Sequence, residues 1–256
     1  MELKNKTAIV TGGASGLGEA AVRRFAWADA NAVILDLNEE RGRSLVAELG
    51  SRVVFIKTDV TNPDDVKEAV KFTIEKFGQV DILVNCAAIA IARKTADPKE
   101  GPHDLNLFKK VVDINLIGCF DVIRNTATAM LANEPGLDGE RGVIINTASA
   151  AAFEGQVGQV AYAATKAAIV GMTLPLAREL SSAGIRVVTI APGIFMTPML
   201  RGLPENIREA LGKMVPFPKR LGKPDEYAMM VQHIVENTML NGETIRLDGA
   251  IRMQPK

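Results

Sequence analysis

Apolar residues fall along the chain in short unbroken runs that alternate with longer stretches of helical periodicity. The runs predict strands over 7–10, 32–36, 53–58, 82–85, 143–146, 186–190 and 244–247. Between them, apolar positions recurring every three to four residues predict helices over 16–28, 39–49, 64–77, 107–132, 162–182 and 225–236. Val/Ile runs without polar alternation mark strands covered on both faces, as in a parallel sheet. Regular alternation of strand and helix implies right-handed crossovers, so the expected fold is α/β: a doubly wound parallel sheet of about seven strands with helices on both faces. No composition break, repeat or low-complexity tract divides residues 1–256, and a single domain is expected.

Two stretches break the rhythm. Residues 92–106 contain Pro98, Gly101 and Pro102, and residues 194–223 contain four prolines. Irregular insertions of this length in a compact α/β domain are usually functional loops, and 194–223 is expected to be a substrate lid. Pro175 falls inside the 162–182 pattern, where it removes a hydrogen bond; a tolerated kink, not a helix end, is expected.

Composition narrows the possibilities. Thirty basic and thirty acidic residues cancel, which gives no global pull toward nucleic acid or an anionic membrane. Cys86 and Cys119 are the only cysteines, too few for a disulfide framework, so a reducing, cytoplasmic setting is expected. With His103 and His233 as the only histidines, no metal site is expected. No apolar run is expected to approach the roughly 20 residues of a membrane span, and the first strand follows the N-terminus too closely for a targeting segment to be expected.

Directly after the first strand comes Thr11-Gly12-Gly13-Ala14-Ser15-Gly16-Leu17-Gly18, then an Ala-rich helix. Glycines allow a tight turn and close approach to a pyrophosphate, and the helix N-terminus offers free N–H groups to the anion. The second strand ends at Asp36, eighteen residues after Gly18. A carboxylate there accepts hydrogen bonds from adenosine ribose hydroxyls and repels a 2′-phosphate. No Arg or Lys stands at Ala14, Ser15 or Leu37 to welcome that phosphate, so NAD is favoured over NADP. Asp36 as a helix cap is the simpler alternative, though it does not explain the glycine loop. Asp59 closes the third strand, where it can accept from an adenine amino group; Asn85-Cys86-Ala87-Ala88 closes the fourth with small side chains. Ligands of open α/β sheets bind at this edge, beyond the carboxyl ends of the strands.

The same edge receives candidate chemistry. Ser149 follows the strand at 143–146, and Tyr162 comes thirteen residues later with Lys166 one helical turn beyond. Positions i and i+4 share a helix face, so phenol and ammonium can meet. A neighbouring cation favours phenolate over phenol, which suits Tyr162 to general acid–base work. Ser149 can donate to a carbonyl oxygen as charge develops there. Asn115 lies mid-helix, a poor position for Asn; its amide either fixes a water beside Lys166 or serves only a helix kink.

Together the T-G-x-x-x-G-x-G loop, the N-x-A segment at Asn85, the mid-helix Asn115, the Ser149–Tyr162–Lys166 spacing and Pro192-Gly193 resemble the short-chain dehydrogenase/reductase family, along essentially the whole chain. The resemblance implies a Rossmann-like fold and a catalytic tetrad of Asn115, Ser149, Tyr162 and Lys166. It implies NAD contacts from Gly12, Ser15, Gly16, Leu17, Gly18, Asp36, Asp59, Val60, Cys86, Ala87, Tyr162 and Lys166, and from Pro192, Phe195 and Thr197 on the nicotinamide side. Closer likeness, in segments such as FEGQVGQ and IRLDGAIRMQP, is to a branch that oxidises 3-hydroxyacyl-CoA thioesters and some hydroxysteroids as a homotetramer; it implies that Gln156 joins Ser149 and Tyr162 near substrate. Two departures from the family are Ala88 in place of a glycine, and Ala28-Asp29-Ala30-Asn31, where Asp29 or Asn31 must supply a left-handed turn. Six basic against two acidic residues over 201–223 suit the phosphates of coenzyme A. A hydroxysteroid dehydrogenase, a 3-oxoacyl-(acyl-carrier-protein) reductase and a non-catalytic nucleotide-binding scaffold stay open as alternatives.

Overall fold

The computed structural model describes residues 1–255. Its strands are β1 (Thr7–Thr11), β2 (Asn31–Asp36), β3 (Val53–Lys57), β4 (Ile82–Asn85), β5 (Ala96–Asp97), β6 (Gly101–Pro102), β7 (Gly142–Thr147), β8 (Ile185–Pro192) and β9 (Thr244–Leu247). Seven of them form one parallel sheet in the order β3-β2-β1-β4-β7-β8-β9, and β5 and β6 make a separate antiparallel ribbon. Side chains of a strand point alternately to opposite faces, and β1 shows it: Ala8 and Val10 enter one core, Ile9 the other.

The first core is closed by α1 (Gly16–Trp27), α2 (Glu39–Leu49) and α9 (Pro224–Glu236), through Phe25, Leu45, Tyr227 and Val231. Against the second lie α3 (Pro63–Phe77), α5 (Cys119–Met130) and α6 (Val160–Ser181), through Val66, Val122, Ile123 and Ile169. Each large apolar side chain buried in these layers is worth about 1.5–3 kcal/mol. β2 and β4 flank β1 on opposite sides, so the chain reverses direction across the sheet at β1/β4 and opens a crevice above those strand ends.

The expected helix over 107–132 is three segments. α4 (Leu105–Val112) starts earlier, with Asp104 accepting from Asn106 N at 2.8 Å. A π-helical stretch, Asp113–Gly118, then leads into α5. Such wide turns are rare and frequent at functional sites. Here Gly118 sits so close to β3's exit that a Cβ would lie 2.8 Å from Val60 O. The irregular stretch 92–106 holds the β5–β6 ribbon. Residues 194–223, the expected lid, carry α7 (Pro198–Arg201) and α8 (Glu205–Lys213), and a parallel bridge between Phe195 and Gly222 joins the two ends.

α6 runs unbroken through Pro175. Contrary to the expectation that no run approaches a membrane span, its 22 residues are long and apolar enough to cross one by length and composition. Here α6 packs against β8 and carries Tyr162 and Lys166. The left-handed turn after α1 falls on Asp29, with φ of 57°, while Asn31 is the first residue of β2.

Candidate active site

Above the carboxyl ends of β1 to β4 lies a cleft of about 1330 Å³ lined by the glycine loop, Asp36, Asp59, Val60, Cys86 and Ala87, with Thr147 and Thr197 further along. That exceeds the about 300–1,000 Å³ typical of small-molecule pockets, so an extended ligand fits. Gly12 has φ of 62° and its missing Cβ would lie 2.9 Å from Ala87 N, while a Cβ at Gly18 would collide with Gly12 O. Side chains at either place would fill the cradle that a pyrophosphate needs. Ser15 caps α1 without a side-chain hydrogen bond, which leaves its hydroxyl for an anion at the helix N-terminus. Thr11 ties the loop to β4: its Oγ1 accepts from Cys86 N and Ala87 N, each at 3.1 Å. These residues fit a dinucleotide.

Asp36 stands in the cleft wall and is also structural. Its Oδ2 accepts from Ala14 N at 3.1 Å and its Oδ1 from Asn38 N at 2.9 Å. The cap of α2 is Asn38, whose side chain accepts from Arg41 N, so the capping alternative for Asp36 does not hold. Asp59 Oδ1 is committed to Thr61, accepting from its N at 2.9 Å and its Oγ1 at 2.7 Å, which turns the chain out of β3.

Behind Thr147 of the cleft wall lies Lys166, 3% exposed, whose ammonium donates to Thr147 O at 2.7 Å. It lies 5.7 Å from the centre of the Tyr162 ring. Ser149 Oγ accepts from Ala151 N at 3.1 Å, a contact that orients the hydroxyl and leaves its hydrogen for a substrate oxygen. The turn Ala150–Ala152 that follows packs on α6, bringing Ser149 toward Tyr162.

Asn115 braces this arrangement. Its Oδ1 accepts from Ile89 N at 2.8 Å, and its Nδ2 donates to Ile89 O at 2.9 Å and to Thr165 Oγ1 at 3.2 Å. Both amide hydrogens are thereby spent on protein atoms, so the side chain joins the end of β4 to α6 instead of holding a water through its N–H groups. Thr165 Oγ1 in turn donates to Tyr162 O at 2.8 Å.

Of the carried-over residues, Asn115, Ser149, Gln156, Tyr162, Lys166, Pro192 and Phe195 are not part of the cleft wall itself. Pro192 ends buried β8, and Phe195 is 7% exposed in the core with its ring against Gly222, leaving Thr197 to face the cleft. Gln156 is on the loop before α6, donating through Nε2 to Gln254 O at 3.0 Å. Arg220, one of the basic residues of 201–223, is already paired with both oxygens of Glu226 at 2.7 and 2.9 Å.

Pattern alone gives little sign of a trio of Tyr227, Thr147 and the half-buried Cys86 beside Lys166. Tyr227 OH lies 2.7 Å from Thr147 Oγ1 and 3.4 Å from Cys86 Sγ. Tyr227 is fully buried, and burial pushes both its phenol and the Cys86 thiol up. Only a tyrosine amid the apolar face of α9 hinted at it. Cys119 is free and buried, its thiol pushed up to about 12 by burial. Among the described residues no group of three or more His, Cys, Asp or Glu side chains is placed to hold a metal ion.

A dinucleotide cradle beside a buried lysine, a tyrosine and a serine is the equipment of a nucleotide-dependent oxidoreductase. Residues 6–208 match the short chain dehydrogenase family. The chain is 55% identical over 254 residues to 3-hydroxyacyl-CoA dehydrogenase type-2 of Drosophila melanogaster, covering 99% of this chain and 100% of that protein. It superposes with a TM-score of 0.95 and 43% identity on 3-hydroxyacyl-CoA dehydrogenase type-2 from Mycobacterium avium, over 98% of each chain. With a TM-score of 0.85 and 30% identity it also matches a Brucella melitensis 3-ketoacyl-(acyl-carrier-protein) reductase complexed with NADH, over 98% of this chain and all of that one. The chain belongs to the short-chain dehydrogenase family.

Proposed function

We propose that the protein oxidises the 3-hydroxyl of a 3-hydroxyacyl-CoA to the ketone, reversibly, with NAD. The observation that carries this is the Lys166 ammonium, buried beside the Tyr162 ring and pinned to Thr147 in the wall of a dinucleotide cleft. When bound, the nicotinamide supplies the hydride acceptor. Tyr162 takes the hydroxyl proton, with the Lys166 ammonium beside it on the same helix face. Ser149 donates to the same substrate oxygen and holds it. Asn115 keeps α6 and the Ile89 segment in register.

Preference for NAD over NADP rests on Asp36, whose carboxylate meets the ribose edge with no cation beside it at Ala14, Ser15 or Leu37. The thioester substrate is supported by the fly and mycobacterial relatives and by the lid. Lys213 and Lys219 are exposed there to meet phosphates, and Phe217, 82% exposed, and Met214 offer apolar cover for an acyl chain. Apolar side chains left exposed on α5 and α6, Ile117 just before them among others, support self-association as a homotetramer. Two free thiols suit a reducing compartment such as the cytoplasm.

Steady-state kinetics with NAD against a chain-length series of 3-hydroxyacyl-CoA thioesters, with one hydroxysteroid for comparison, tests the reading. The expected result is highest kcat/KM on a short-chain thioester. A steroid turned over more efficiently than every thioester would overturn it.

A further inference from the structure

Between Ser149 and α6 the chain has almost no regular structure, yet the segment carrying Gln156 is held at several points by the other end of the sequence. Gln156 Nε2 donates to Gln254 O and Val157 N donates to Pro255 O, both at 3.0 Å. Glu154 receives Arg246 of β9 in a two-pronged pair at 2.7 and 2.8 Å, with Arg252 Nε 3.5 Å from the same carboxylate. The Arg246 guanidinium lies 4.9 Å from the centre of the Phe153 ring. Asp248 gathers both arginines from the other side, at 2.7 Å from Arg246 and 3.4 Å from Arg252.

Two-pronged arginine–carboxylate pairs fix orientation as well as distance. This one is three-quarters buried, and Arg246 draws the Glu154 carboxyl below its usual range. The turn after β9 also touches the lid, since Phe217 N donates to Gly249 O at 3.3 Å. One short stretch, 248–255, therefore holds both the loop carrying Gln156 and the edge of the lid. A loop ordered in advance loses less entropy when its ligand arrives.

We propose that the C-terminal segment 252–255, with the Glu154–Arg246 pair, is a positioning element that sets Gln156 for substrate before substrate binds. This rests on the reading above, in which the 149–162 connection faces the substrate. The segment contributes no reacting group. It acts through Gln156 and Val157, and its effect falls on substrate affinity and not on cofactor binding or the proton-transfer step.

The test compares the full chain with two variants, a deletion of residues 253–256 and Glu154→Gln. Hydrogen exchange of the peptide spanning 153–160 is measured without any ligand, and KM and kcat are measured with a short-chain 3-hydroxyacyl-CoA and NAD. For the deletion, exchange at Val157 is expected to quicken about tenfold or more. KM for the thioester is expected to rise about fivefold, with kcat and KM for NAD within about twofold of the full chain. Glu154→Gln should move both readouts the same way. Unchanged exchange overturns the proposal, as does faster exchange with unchanged substrate KM, or an equal loss of NAD affinity. If the full chain oxidises no 3-hydroxyacyl-CoA, the substrate reading falls, and the same comparison on the secondary alcohol it does oxidise decides the role of the tail.

Discussion

Lys166 Nζ and the carbonyl oxygen of Thr147 stand 2.7 Å apart, joining the middle of the first turns of α6 to the last residue of β7. With 3% exposure, the ammonium has little water to satisfy it and takes a backbone oxygen instead. That contact fixes where the cation lies relative to Tyr162, one turn earlier on the same helix face.

Replacing Tyr162 by Phe removes the proton carrier and little volume. Turnover is expected to fall by about 10²–10⁴-fold, while NADH binding, followed by its fluorescence, stays close to that of the parent. Undiminished turnover in this variant would sink the mechanism.

Asp36→Ala acts at two levels. It removes the carboxylate that disfavours a 2′-phosphate, and it frees the N–H groups of Ala14 and Asn38 that the carboxylate now accepts. The kcat/KM ratio of NAD to NADP is expected to drop by about tenfold or more, one unit of about 1.4 kcal/mol, with some loss of absolute NAD affinity because the loop is loosened. A ratio that does not change removes Asp36 from the account of cofactor choice.

Glu226 gives a pH dependence of known sign. The Arg220 guanidinium, helped by Lys223 N, holds its carboxyl down at about 2, against an ordinary 4.5. A carboxylate lowered on folding stabilises the protein above its unfolded value and loses that contribution as pH falls through the folded one. The contribution of the pair is thus complete above about pH 5 and vanishes between 4.5 and about 2. Both side chains are more than a third exposed, so its size is small. Melting temperatures of Glu226→Gln and the parent should differ at pH 6 and converge at the acid end of that window; a constant difference across it contradicts the assignment.

Tyr227→Phe leaves Thr147 Oγ1 and Cys86 Sγ without their shared partner inside the core. Losing one buried hydrogen bond costs about 1 kcal/mol, which for a chain of this size is a shift of roughly 2–4 °C in Tm. Thermal unfolding measures it, and an unchanged Tm would show that the hydroxyl is dispensable.

The sheet was legible because its information is local. The inner strands of the main sheet are apolar runs, while β9 alternates with Thr244 and Arg246, and the strand-end residues Asp36, Asp59, Asn85 and Ser149 follow from where the runs stop. The glycine pattern was legible for the same reason, with Gly12 and Gly18 each facing backbone where no Cβ fits. What escaped depends on partners far along the chain. Nothing near Asn115 in sequence announces that its amide is spent on Ile89 and Thr165, 26 and 50 residues away, or that a π-helical stretch interrupts the expected 107–132 helix there. The family pattern puts a cofactor contact at Phe195, and nothing local in sequence says that its ring is also buried in the core beside Gly222. The basic count of the lid likewise overstated the free charge, because Arg220 had already found Glu226.

The two thiols have a practical consequence. Cys86 Sγ is engaged by Thr147 and Tyr227 at the floor of the cleft, and Cys119 is buried at the start of α5, so desolvation keeps thiolate scarce on both. A chromogenic disulfide reagent mixed with the native protein therefore meets Cys86, half-buried in the cleft wall, from the cleft, and reaches Cys119 only as fast as the fold opens. The chain carries its own pair of reporters, Cys86 reading access to the cleft and Cys119 timing local opening of the sheet–helix layer, with no engineered probe required.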